Sequence, residues 1–489
     1  MRKRIIGIIL CVALLAAGFT ATVFVRQESS RVHQHLTAKP KAACTSHGGE
    51  AFCTHLPLVQ IETDEDIPGK PIYDENTDKF NRSTASDGSD RIVSKIKITD
   101  HEETNNHTTD EPTITSAATI HVHGHSSRYF DKVGYKIKLI DSEGNGNDQS
   151  VMGMDAHSEW FLHGPYLDKT LIRNYMWYNI AGEVMSYAPN VRFCEVFING
   201  EYEGVYVMTE TITAGENGAR LKLSVDKKDN TYSGYLLRLD RSSEDDINNF
   251  TQYAYRLGQI QGINVEYPGS KNLTPELKTS ITKDFSAFEK SLYSYDFNDD
   301  EFGYKKSINV SSFVDYLIIN EFTENFDAGG FSTYIYKDQN GKFGMCVWDF
   351  NNSCDNYQEQ ATNIEDFRMI NTPWFWTLTK DKDFTNRIIE RYRDLRKTVL
   401  SDEYIDNYID ETIAYLGDAV DRNFKRWGKS FDDDELLYPK ERNIHSFDEA
   451  VTQLKGFIGK RSAFLDENID TLAQYSAESR IKKFVENAN

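Results

Sequence analysis

Apolar and polar positions alternate with period two over much of the first half of the chain. Residues 55–63, 91–99, 113–122, 134–139, 191–198, 202–210, 234–240 and 263–267 therefore predict strands. In 134–139, Tyr135, Ile137 and Leu139 face one way and Lys136 and Lys138 the other. Asn199-Gly200 joins two of these strands into a hairpin that Glu210 closes, and Arg238 and Asp240 end another strand. One helix is predicted in this half, over 170–185, with Arg173 in its early turns. Residues 73–90 are polar and read as a loop. Beyond Thr274 the spacing becomes helical, over 274–293, 312–326, 384–400, 402–424 and 447–472. Ser312 and Asp315 resemble a capping box at the second of these. The expected architecture is α+β and bilobal: a β-rich lobe over 55–270 and a helix-rich lobe over 271–489. The cleft between lobes is where a ligand is expected.

The helical pattern is interrupted once. Residues 331–336 are β-branched and aromatic, Asp338-Gln339-Asn340-Gly341 supplies a turn, and 342–348 alternates again. A hairpin brings the ends of its chain together, so Asp327 before it and Asp349 after it belong at one end of a sheet. Two close carboxylates hold a metal, share a proton, or divide base and metal duties. Asn325 and Asn352 stand ready to add a neutral oxygen to a metal. Protein kinases place a catalytic aspartate before, and a metal-binding Asp-Phe-Gly after, such a hairpin. Here the second end reads Asp349-Phe350-Asn351. The plainer alternative is a surface hairpin capped by aspartates.

Composition narrows the field. The net charge of −21 is spread along the chain, which argues against a nucleic-acid partner. Six cysteines in 489 residues make no disulfide framework, and no metal-type pair of closely spaced cysteines stands out. The basic residues 1–4 precede an uncharged run over 5–25, long enough to cross a membrane. It is expected to be an uncleaved anchor that leaves 1–4 in the cytoplasm and the body outside, with 26–54 as a tether. In that oxidising setting Cys44 and Cys53 are expected to close a small loop. His121, His123 and His125 share a strand face, but no fourth ligand or carboxylate accompanies them, so a ligand-facing or solvated face is favoured over zinc.

Taken in order, several stretches resemble the CotH kinase family, the spore coat protein H-like atypical protein kinases. HGHSSRYFDKVGYKIKL from His123 is similar to the family's turn and lysine-bearing strand. WFLHGPYLDKTLIRNYMWYNIA from Trp160 resembles its helix opening, and VFINGEYEGVYVMTETI from Val196 its hairpin ending in Glu. NEFTENFDAGGFSTYIYKDQNGKFGMCVWDFN from Asn320 resembles its catalytic core, and FTNRIIERYRDLRKTVL and FKRWGKSF its last helices. The resemblance spans roughly residues 55–472 and implies a kinase-like fold using ATP and Mg2+ or Mn2+ on a protein substrate, such as a coat or surface protein. It implies Asp327 as the catalytic aspartate and Asp349 as the metal-binding one. Arg128, Lys136 or Lys138, and Glu210 fall where the family contacts nucleotide, with one lysine paired to Glu210. His123 and His125 depart from the family's Arg-Gly-Asn-Ser turn. Two other classes stay open at this stage: a non-catalytic surface binding or scaffold module that keeps the fold, and a metal hydrolase built on the two aspartates.

Overall fold

A computed structural model describes residues 31–39, 41, 52–75, 77–215, 220–250, 261–339 and 341–477. Its first large unit is a closed barrel of β1 Leu58–Glu62, β2 Ile92–Thr99, β3 Ile114–His123, β4 Gly134–Ile140, β5 Glu159–His163, β6 Val191–Ile198 and β7 Glu201–Glu210. The order around the barrel is β6-β7-β5-β4-β3-β2-β1, and the parallel pairing of β1 with β6 closes it. Alternation decides which side chains fill it. Ile120, Val122, Tyr135, Ile137, Trp160, Leu162, Val196, Tyr206 and Met208 point inward to one core. Phe161, Phe193, Val205 and Val207, on the opposite face of the same strands, join a second core outside.

That second core is built around the helix α2 Arg173–Val184. Tyr175 stacks on Phe193 of β6 with ring centroids 4.1 Å apart, and Trp177 meets Phe322 at 6.0 Å. Tyr178 meets Trp348 at 5.8 Å and Phe350 at 5.5 Å. Apart from Glu183 every residue of this helix is buried, so its sequence carries no polar face opposite an apolar one. On its far side lies a second sheet in the order β9-β8-β10-β11, formed by β8 Tyr235–Arg241, β9 Gln261–Tyr267, β10 Thr333–Lys337 and β11 Phe343–Cys346. The helices α3 Pro275–Leu292, α4 Val310–Thr323, α5 Lys382–Leu395, α6 Asp402–Leu416, α7 Asp418–Trp427 and α8 Phe447–Asn468 complete a helical C-terminal region. The chain is therefore α+β, with a β-rich N-terminal region.

Several expectations need correction. The second sheet takes strands from both sides of residue 270, so the architectural break follows β7. The strand β5, hidden in an aromatic run before α2, pairs with both β4 and β7. The loop at 73–90 contains a short hairpin, Pro71–Asp74 with Lys79–Arg82. Asn309, not Ser312, caps α4: its side chain accepts from the Ser312 N–H at 3.4 Å. Asp315 instead pairs with Arg391 at 2.8 Å. The run at 402–424 breaks at Gly417, where φ is 48°.

The expected tether is docked where it is described. A short helix, α1 Gln34–Thr37, lies against the body: His33 bonds Tyr408 at 3.0 Å and Glu183 at 2.8 Å, and Gln34 accepts from Phe193 N–H at 2.7 Å. Arg31 donates to the carbonyls of Tyr178 at 3.1 Å, Pro189 at 3.0 Å and Ala188 at 2.5 Å. The anchor expected over 5–25 and the Cys44 half of the expected disulfide lie outside the described residues. Among the described residues no helix is long and apolar enough to cross a membrane.

Candidate active site

The site is assembled where both ends of the β10–β11 hairpin meet α2. After α4, Glu324 turns the chain out of the helix with φ 46°. The following loop folds on itself, Asp327 O accepting from Gly330 N at 3.0 Å and Phe331 N at 2.7 Å. Beyond β11, Asp349 takes a left-handed backbone, φ 55°. Side chains of α2 hold that conformation. The Tyr178 hydroxyl accepts from Asp349 N–H at 2.9 Å, and Asn174 Oδ1 accepts from Phe350 N–H at 2.8 Å. Arg173 reaches the carbonyls of Ser353 at 3.1 Å and Cys354 at 3.4 Å.

The hairpin ends are joined directly. Asn352 Nδ2 donates to Asp327 Oδ2 at 2.8 Å, and Asn351 Nδ2 donates to Asp349 Oδ1 at 2.8 Å. Asn174 Nδ2 in turn donates to Asn351 Oδ1 at 3.0 Å. Both aspartates line one cavity of about 640 Å³ between the barrel and the second sheet. Its walls include Arg82, Arg128, Arg238 and Arg241, so cations face the carboxylates. Arg238 is itself paired with Glu266 at 3.0 Å.

Burial and the charge of Asp327 push the Asp349 carboxyl up to about 7, against the opposing hydrogen bonds from Asn351. Burial also raises Asp327, opposed by the Asn352 hydrogen bond and the charges of Arg241 and Arg368. The two groups thus resist carrying charge together. His123 and His125 line the same cavity; burial holds both below the ordinary histidine range, His123 far below it, so neither brings a fixed charge. His121 does not line it, and the three do not form a shared face toward a ligand.

Of the residues singled out in the sequence, Asp327, Asp349, Asn352 and Arg128 come together at this cavity. Arg128 spends its guanidinium on the turn beside it, donating to Gly124 O at 2.7 Å and Gly69 O at 3.2 Å. Lys136 and Lys138 do not pair with Glu210. Both reach Glu159 on the adjoining strand β5, at 3.3 Å each, and neither lines the cavity. Glu210 sits at the end of β7, wholly buried, and accepts from Asn190 N at 2.9 Å and Nδ2 at 3.0 Å, with Arg220 as its nearest cation at 3.9 Å. Asn325 is also wholly buried behind the wall. It donates to Asn320 Oδ1 at 3.2 Å and Trp348 O at 3.3 Å, which makes it a brace between the hairpin ends, not a ligand. Asn351, Asn174, Tyr178 and Arg241 were missed. Asn174 and Asn351 stand inside the motifs that carry the resemblance, next to residues already noted; nothing in the sequence points to Tyr178.

Among the described residues no group of three or more His, Cys, Asp and Glu side chains is placed to hold a metal. Two carboxylates with raised proton affinity, flanked by amides, are nonetheless a hard-oxygen set. They suit a magnesium ion that takes one or two protein carboxylates and completes its shell with water and phosphate.

A family model described as CotH kinase protein matches residues 120–465 of the 489. The chain belongs to the CotH kinase family. No curated protein matches it. The CotH match takes in the cavity apart from Arg82, from the His123 turn at the end of β3 into α8. At that coarse level, membership makes the chain an atypical kinase, with ATP, a divalent metal and a protein substrate as the family's general requirements.

Proposed function

We propose that this CotH-family chain moves the γ-phosphoryl group of ATP to a Ser or Thr hydroxyl of a protein, a coat or cell-surface protein in particular. The observation that carries the reading is the Asn352–Asp327 bond at 2.8 Å, which fixes the two ends of the carboxylate hairpin beside one cavity. Asp349 is the metal-holding carboxylate, because α2 fixes the backbone at Asp349 and Phe350; Asn351 donates to its carboxylate, and Asn352, bonded to Asp327, lines the same cavity and adds an amide oxygen. A divalent ion held there would draw charge from the phosphate oxygens and leave the phosphorus open to attack.

Asp327 is the base. Its carboxylate lines the cavity, and its raised proton affinity suits it to accept the hydroxyl proton as the new oxygen–phosphorus bond forms. The bond from phosphorus to the bridging oxygen breaks, and ADP leaves. Arg238 and Arg241 take the phosphate-facing place that the resemblance gave to Arg128 and to Lys136 or Lys138, because they line the cavity, the two lysines do not, and the Arg128 guanidinium is held by the carbonyls of Gly124 and Gly69. Their charges stabilise what the transferring group spreads over its oxygens.

The experiment is incubation of the purified protein with radiolabelled ATP, magnesium or manganese, and candidate surface proteins. Label on protein is the expected result. ATP binding without label would leave a surface binding module, and free phosphate alone would mean a hydrolase. The proposal keeps the body outside the cytoplasm, held by residues 5–25; protection of the body from protease added to intact cells would contradict that placement.

A further inference from the structure

The loop bearing Asp327 follows α4 and turns several backbone carbonyls out of any helical ladder. Three of them converge on a single guanidinium. Arg368 donates to Asn325 O at 2.9 Å, to Ala328 O at 2.9 and 3.0 Å, and to Phe326 O. Its plane also lies over the Phe326 ring, 5.3 Å from the centroid. Arg368 is seated in turn. Its own N–H donates to Glu321 Oε1 at 3.0 Å, and the next N–H, of Met369, donates to Glu321 Oε2 at 2.7 Å. Arg461, wholly buried in α8, pairs with Glu321 and with Glu324 at 2.5 Å each. Ion pairs from α8 to the end of α4, and hydrogen bonds from there through Arg368, therefore connect α8 to the loop.

We propose that Arg368 is the positioning residue of this site: one guanidinium clamps the three carbonyls around Asp327 and so sets where its carboxylate meets the acceptor hydroxyl. This rests on the phosphoryl-transfer reading above. Arg368 does not line the cavity, so it touches neither nucleotide nor acceptor. Its charge lies at the carbonyl end of α4, where the helix favours a cation. Its planar fork spans carbonyls that a lysine ammonium cannot bridge together.

The test compares Arg368→Lys and Arg368→Gln with the parent. Phosphate transfer, ATP–magnesium titration calorimetry and hydrogen exchange over residues 325–331 are read on the same preparations. Misplacing a reacting group by about 1 Å costs on the order of 10²-fold in turnover. Both variants are expected to lose kcat by roughly that factor with ATP affinity unchanged. The amides of Gly330 and Phe331 should exchange faster, and added guanidinium should restore part of the Arg368→Gln turnover. Parental kcat in Arg368→Lys would overturn the proposal, as would equal losses of ATP affinity and kcat. If the parent itself transfers no phosphate, the kinase reading fails separately, and the clamp is then judged by exchange: unaltered exchange in Arg368→Gln overturns it.

Discussion

Replacing Asp168 by Ala removes the group that holds the start of α2. Asp168 and Arg173 are 2% and 1% exposed. Asp168 Oδ1 accepts from Arg173 Nη1 at 2.5 Å and from the Thr170 hydroxyl at 2.6 Å, and Oδ2 accepts from Arg173 N–H at 2.9 Å. The arginine passes this support on to the carbonyls of Ser353 and Cys354, just beyond Asp349. Without the carboxylate, a guanidinium stays buried and uncompensated. Breaking such a pair costs about 3–5 kcal/mol. Urea unfolding followed by tryptophan fluorescence reads the loss, with Trp177 on the same helix as a buried reporter. Metal–ATP affinity should also fall, by roughly tenfold or more, because partners behind a ligand set its position. Adding Arg173→Met should recover much of the stability and none of the affinity. A loss below about 1 kcal/mol, the scale of an exposed pair, would refute the reasoning, as would affinity returning with stability in the double variant.

Two further predictions follow from buried contacts. A Cβ on Gly182 would stand 1.7 Å from Arg31 Nε, so Gly182→Ala should expel the segment around Arg31 from α2. Faster proteolysis there is expected; parental cleavage would show that the segment is not seated as described. Burial lowers Lys132 from 10.5 to about 7, where its ammonium donates to Val205 O at 2.6 Å and Asn423 Oδ1 at 2.7 Å. The unfolded chain then binds the extra proton between those values, so stability should climb as pH rises from about 7 to 10.5. Lys132→Met should flatten that climb in thermal melts across the range; an unchanged slope would refute the assignment.

Much of the site could be read from local pattern, because a hairpin carries its own geometry. The strand runs around 331–348 and the turn at Gly341 place Asp327 and Asp349 together without any tertiary knowledge. What could not be read is what tertiary packing decides. Lys136 and Lys138 lie on the strand face that was expected, but the partner opposite them was set by the unrecognised strand β5: Lys138 is in register with Glu159. Glu210 ends its strand as predicted and then turns toward Asn190, behind the site. Asn325 is two residues from Asp327, yet the left-handed turn at Glu324 sends it inward. The fold followed the same division. Period-two alternation marked eight of the nine strands that pair in the barrel and the second sheet before residue 270, all but β5. Closure of the barrel by β1 on β6 joins segments far apart in the chain, and no local pattern encodes that.

The central claim is that the two hairpin aspartates do different work, and Asp327→Ala and Asp349→Ala test it side by side. Each variant is titrated with ATP and magnesium in a calorimeter and assayed for label transfer on the same preparation. Asp349→Ala should lose metal–nucleotide binding. Asp327→Ala should keep it while turnover falls by about 10²–10⁴-fold, the usual worth of a general base. Parental transfer by both variants would contradict the kinase account, and loss of binding in Asp327→Ala with retention in Asp349→Ala would reverse the roles given to the two ends.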